Sequence, residues 1–122
     1  GFEIERFDTI DEFLKAYPSY EGFYVTRYSK NVYSRMDYSN PAKNRFFMFG
    51  RESTGIPKDV LKKHLDHTIR IPMTADSRSL NLANSVSIVL SEALRQQNFF
   101  GLATKEEIKG EDFLENYPIE EK

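Results

Sequence analysis

The sequence contains no cysteine and no tryptophan in its 122 residues. Without cysteine there can be no disulfide, no thiolate-bound zinc and no thiol nucleophile. No apolar run approaches the roughly 18 residues that a membrane-spanning helix needs. Nor is there a basic-then-apolar opening of the kind that marks a secretory signal. These absences fit a cytoplasmic protein with no membrane role. There are only two histidines, His64 and His67, and their spacing does not suit a shared metal; capping or surface roles are expected instead. Glycine and proline are sparse, at six and five, so the places where they gather carry information.

Apolar residues make up 39% of the chain and aromatic residues 14%, enough for one domain with a useful core. The formal net charge is −2, which taken alone argues against a nucleic-acid partner. The charge is unevenly spread, however. Residues 103–122 carry seven acids against three lysines. From Thr26 to Arg51, six bases (Arg27, Lys30, Arg35, Lys43, Arg45 and Arg51) face the single acid Asp37. A basic segment of that length can follow a phosphate backbone, or can simply be a solvated loop.

Along the chain, Phe2–Phe7 alternates like a short strand. Thr9 with Glu12 forms a capping box, and Ile10, Phe13, Leu14 and Tyr17 follow at helical spacing until Pro18. Gly22–Thr26 is expected to be a second strand. Residues 27–44 have no period and are expected to form a long loop, functional or mobile. Arg45–Phe49 is a continuous apolar run and is expected to be a strand buried on both faces. Pro57 suits the start of a helix running through Val60, Leu61 and His64. Thr68–Ile71 is expected to be another strand, and Asn84–Ser85 to cap a last helix carrying Val86, Val89, Leu90, Ala93 and Leu94. This order predicts an α/β fold with a mostly parallel sheet flanked by helices. The acidic end is expected to be an appendage with one short helix near Asp112–Glu115.

Three blocks stand apart from core filling: Phe49-Gly-Arg-Glu-Ser-Thr-Gly-Ile-Pro57, Ile71-Pro-Met73 and Arg78-Ser-Leu-Asn-Leu-Ala-Asn-Ser85. Glycine lets the main chain approach a ligand where a Cβ would collide, so the blocks read as a cradle built from backbone. The spacing Gly50-x-x-x-x-Gly55 invites a phosphate-loop reading. That loop needs Lys and Ser/Thr after its second glycine, and Ile56 and Pro57 stand there instead.

In order and spacing the three blocks resemble the SPOUT superfamily of RNA methyltransferases, most of all the branch that methylates the ribose 2′-oxygen of the tRNA wobble nucleotide, cytidine or uridine. The resemblance covers about residues 20–100. It implies a SPOUT-type fold with a C-terminal trefoil knot, S-adenosyl-L-methionine as cofactor, tRNA as substrate, a homodimer, and no metal. It further implies cofactor contacts from Val25, Gly50, Ile71, Ser79 and Leu80, with Glu52 and Asn81 as candidate helpers near the methyl group. Arg27, Lys30 and Arg51 are the candidate RNA contacts. The family's usual catalytic arginine lies in an N-terminal Asn-Thr-Gly-Asn-x-x-Arg motif that this sequence does not contain, so the catalytic residue is unassigned. Together with a chain opening on Gly1, this leads to the expectation that residues 1–100 are the C-terminal two-thirds of a methyltransferase domain and residues 101–122 an acidic tail. By the same expectation Phe46–Phe49 would have an uncovered edge prone to self-association. A second departure is Ser91-Glu92-Ala93, where relatives have Tyr-Glu-Ala. The rival reading is a non-catalytic RNA-binding or dimerisation module on the same scaffold. On the methyltransferase reading, Gly50→Val is expected to abolish cofactor binding and spare the fold.

Overall fold

The computed structural model describes residues 10–50, 55–73 and 81–119. The expected first strand, Phe2–Phe7, and the capping residue Thr9 lie outside them. Three strands, β1 (Glu21–Val25), β2 (Arg45–Phe49) and β3 (Thr68–Ile69), form one parallel sheet in the order β2-β1-β3. The helices are α1 (Ile10–Ala16), α2 (Lys58–Lys63) and α3 (Leu82–Gln96), with single 3₁₀ turns at Tyr33–Arg35 and Leu65–His67. Parallel neighbours require crossover connections, and these dispose the rest of the chain on the two faces of the sheet.

Alternation along β1 sorts the core into two clusters. Phe23 faces Tyr38, Ile69, Ile71, Val89 and Ala93, the side covered by α3 and by the connection 27–44. Tyr24 faces Ile56 and Leu61, with Phe46, Met48 and Val60 against it, the side covered by α2. The two histidines divide in the same way: His64 stacks on Tyr24 at 4.6 Å and His67 on Phe23 at 5.2 Å. His67 Nδ1–H donates to the Gly22 carbonyl at 2.9 Å. Both rings therefore pack as half-buried core side chains, not as surface groups, while the capping role holds for His64, which is the C-cap of α2. Gly22 pairs with Phe46, whose ring occupies the space a Cβ on Gly22 would need. Phe46 in turn takes Phe13 of α1 edge-on at 4.8 Å.

Several boundaries differ from expectation. All five residues of β2 are half-buried rather than buried, because among the described residues β2 is an edge strand paired only with β1. Strand β3 is two residues long, after which Arg70 makes an isolated bridge to Val32. The N-cap of α3 is Asn81, not Asn84 or Ser85; its side chain accepts from Ala83 N at 2.8 Å. Residues 111–116 form turns in place of the expected short helix, and every described residue beyond Gly101 is exposed.

The connection 27–44 is not a loose loop. Tyr38 is fully buried, and its hydroxyl donates to the Tyr33 carbonyl at 2.6 Å. Gln96 of α3 brackets the segment, accepting from Tyr38 N at 2.7 Å and donating to the Met36 carbonyl at 2.9 Å. Gln97 donates to the Tyr38 carbonyl at 2.9 Å. At the other end, Tyr33 N donates to Arg70 O and Arg70 N to Asn31 O. The Asn31 amide also donates to the Thr68 carbonyl at 3.1 Å. Sequence periodicity cannot reveal a segment held by such long-range hydrogen bonds.

Candidate functional site

Three of the five expected cofactor residues fall along one edge. Val25 ends β1 and lies in register with Phe49 of β2 and Ile69 of β3. Gly50 follows Phe49 directly, and Ile71 lies two residues past Ile69. Gly50, Val25 and Ile71 therefore sit at the carboxyl ends of three adjacent parallel strands, the place where open α/β sheets bind ligands. Ser79 and Leu80, and likewise Arg51 and Glu52, lie outside the described residues.

Gly50 is required there first by its own loop. A Cβ on it would collide with the Gly55 carbonyl carbon and the Ile56 nitrogen. Gly55 and Ile56 thus lie directly against Gly50 and leave no room for a side chain. Gly55 makes the return with φ at +70°, a left-handed conformation that favours glycine. Ile56 then anchors the loop by burial against Tyr24 and Leu61. The expectation that Gly50→Val leaves the fold intact is overturned by this backbone approach.

Val25 is half-buried and Ile71 buried, and both join the apolar cluster of Phe23 and Val89. They serve the core whatever else they do. Asn81 is exposed, at the start of α3. Its oxygen is engaged by Ala83 N, leaving its amide nitrogen as the group able to donate outward.

The basic segment divides in two. Lys43 and Arg45 both pair with Glu21, at 2.8 and 3.2 Å, and Arg45 also donates to the Asn40 carbonyl at 2.9 Å. Burial acts to raise the Glu21 pKa, but the two cations outweigh it and hold the carboxyl below its ordinary value. These two bases belong to the foot of the sheet. Arg27 and Lys30 are exposed just past the carboxyl end of β1. The Arg27 guanidinium donates to the Tyr28 hydroxyl at 2.9 Å and lies 4.9 Å from the centre of that ring. Lys58, the first residue of α2, brings its ammonium to 5.7 Å from the same ring. Sequence reasoning missed Tyr28 and Lys58. The Arg-Tyr dipeptide was visible, but no local pattern ties it to a lysine thirty residues on. Hydrogen bonding from Arg27 lowers the Tyr28 pKa.

The fold and this edge define a class: an open parallel α/β domain with two glycines, Gly50 and Gly55, at the carboxyl end of its edge strand β2. The family model described as the SpoU rRNA Methylase family matches residues 2–91, and the chain belongs to that family. Among relatives, a protein of Geobacillus stearothermophilus provisionally named tRNA (cytidine(34)-2′-O)-methyltransferase is 44% identical over 100 residues. That match covers 82% of this chain and 64% of the relative. A solved structure from Bacillus anthracis, provisionally described as an RNA methyltransferase, superposes with a TM-score of 0.77 at 43% identity. It covers 82% of this chain and 63% of its own. A second solved structure, from work on the 2-OH methylation of C/U34 on tRNA, has a TM-score of 0.65 at 32% identity. The match covers 75% of this chain and 54% of that one. This chain thus spans less than two thirds of the relatives it matches. The resemblance to SPOUT RNA methyltransferases read from the three sequence blocks is borne out, and so is the α/β class.

Proposed function

We propose that this chain takes part in S-adenosyl-L-methionine-dependent methyl transfer to a ribose 2′-hydroxyl of tRNA, at the wobble nucleotide. One observation carries the reading: in a chain of the SpoU family, Gly50, Val25 and Ile71 converge at the carboxyl edge of a parallel sheet. The Geobacillus relative's name and the C/U34 methylation structure support the choice of substrate.

The residues present fit an adenosine-type group. Val25 and Ile71 offer apolar surface, and past Phe49 the backbone leaves the sheet ladder at Gly50, whereas past Val25 it stays paired with β3 through Thr26 N and Ile69 O. Ser79 and Leu80 complete the contacts from the third block, with Glu52 and Asn81 as helpers. When bound, S-adenosyl-L-methionine supplies a methyl group activated by sulfonium. The work left to the protein is alignment of the hydroxyl with that methyl and acceptance of the hydroxyl proton, a role assigned to no residue of this chain. Arg27, Lys30 and Arg51 hold RNA phosphates. In the same reading residues 1–100 belong to the methyltransferase domain and 101–122 are an acidic tail. The C-terminal segment is knotted, the protein is a homodimer, and it works in the cytoplasm.

Calorimetric titration of the folded chain with S-adenosylhomocysteine tests the pocket: saturation near one site per chain is expected. Absence of heat from a chain with a cooperative melting transition overturns it. For the substrate, nucleoside mass spectrometry of tRNA from cells lacking the gene is expected to show loss of a 2′-O-methyl mark at position 34.

A further inference from the structure

Among the described residues, Tyr28 packs into neither core cluster. It is 61% exposed, sits beyond the end of β1, and its hydroxyl contacts only the neighbouring Arg27 among the described hydrogen bonds. A large aromatic ring in that position is ordinarily a packing residue or a binding residue, and the two core clusters do not include it. It is flanked by cations from two separate elements: Arg27 from the turn after β1 and Lys58 from α2. Pro57, next to Lys58, follows the Gly50–Ile56 loop, so the ring stands on the same strand-end rim as Gly50 and Val25. Two cations near one ring still leave most of it open to solvent.

We infer that Tyr28, with Arg27 and Lys58, forms a stacking platform for an unpaired nucleobase of the RNA substrate, the ring taking the base and the two cations its flanking phosphates. The inference rests on the proposed RNA substrate and deepens it. Unpaired bases are held by stacking on aromatic side chains and arginine planes, with little demand on sequence. Phosphates on either side of a stacked base call for cations close to the ring, and Arg27 and Lys58 lie over it at 4.9 and 5.7 Å from its centre. A guanidinium already bonded to the Tyr28 hydroxyl also fixes the ring in place before RNA arrives, which reduces the ordering cost of binding. The wobble nucleotide lies in a single-stranded loop, so an enzyme acting there must hold its unpaired neighbours while one ribose is presented.

The test is fluorescence anisotropy of a labelled anticodon stem–loop RNA with the chain, run over a salt series. Tyr28→Ala is expected to weaken binding roughly 5- to 150-fold, while Tyr28→Phe, which keeps the ring and loses only the bond to Arg27, weakens it less. Lys58→Gln is expected to flatten the salt dependence of log K by about 0.7–0.9. Melting curves confirm that each variant is folded. Equal affinity of Tyr28→Ala and the parent overturns the platform and leaves the methyltransferase reading standing, as does Tyr28→Phe falling as far as Tyr28→Ala. An unchanged salt slope in Lys58→Gln removes that residue from the site. A parent chain that binds S-adenosylhomocysteine but no RNA overturns both the platform and the RNA substrate; one that binds neither overturns the functional reading itself.

Discussion

A methyl group at position 50 meets main chain, not a movable side chain: the Gly55 carbonyl carbon and the Ile56 nitrogen are in its way. Gly50→Ala is therefore expected to destabilise the protein by roughly 1–3 kcal/mol, as overpacking does, read as a lower midpoint in urea. Any loss of cofactor affinity in that variant has to be judged against this loss of fold. At His64 burial in the stack on Tyr24, helped by the charges of His67 and Lys63, lowers the pKa from 6.5. The unfolded chain then binds the proton more readily than the folded one. His64 thus contributes stability that is present above its unfolded pKa and lost as pH falls through its folded value. The thermal midpoint of the parent is expected to drop between about pH 7.5 and pH 5.5, and to drop less in His64→Phe, which keeps a ring on Tyr24. An identical pH response in the two proteins would place the sensitivity elsewhere.

Helix α3 begins where one asparagine oxygen meets one amide. Asn81→Ala removes the cap and is expected to cost about 1 kcal/mol, measured by denaturant unfolding, whereas Asn81→Asp retains it. If Asn81 also aids methyl transfer, Asn81→Asp will lose activity without losing stability, which separates the two roles. The misplaced cap shows how far element boundaries could be read. The apolar spacing of Val86, Val89, Ala93 and Leu94 made the helix plain, but Asn81, Asn84 and Ser85 are all competent caps in sequence. Only the geometry of the turn before Leu82 chooses among them. Strands β1 and β2 were legible from their apolar runs. Strand β3 was read two residues too long because Arg70 and Ile71 continue the pattern while their backbone turns to Val32. At the site, glycine positions showed where the chain bends. That the tightness at Gly50 comes from Gly55 and Ile56 is a three-dimensional fact that spacing does not contain.

Across the whole molecule, charge is the property least legible along the chain. Six bases in one stretch looked like a single surface, yet Glu21, distant in sequence, takes two of them to the foot of the sheet. Those left near the strand ends gain a partner the stretch does not include, Lys58. Electrostatic character is a property of the folded arrangement, and a count along the chain recovers only its total. The same holds for the connection 27–44, whose burial depends on residues nearly sixty positions later.

That last dependence sets an order of events during synthesis. Tyr38 is made early, but the side chains that fasten it, Gln96 and Gln97, leave the ribosome only with the end of α3. Until then the segment is fastened only at its other end, through Tyr33, Asn31 and Arg70, and a chain ending before α3 would leave Phe23, Phe47 and Tyr38 without the helix that covers them. Completion of one helix thus closes the sheet face and the connection together.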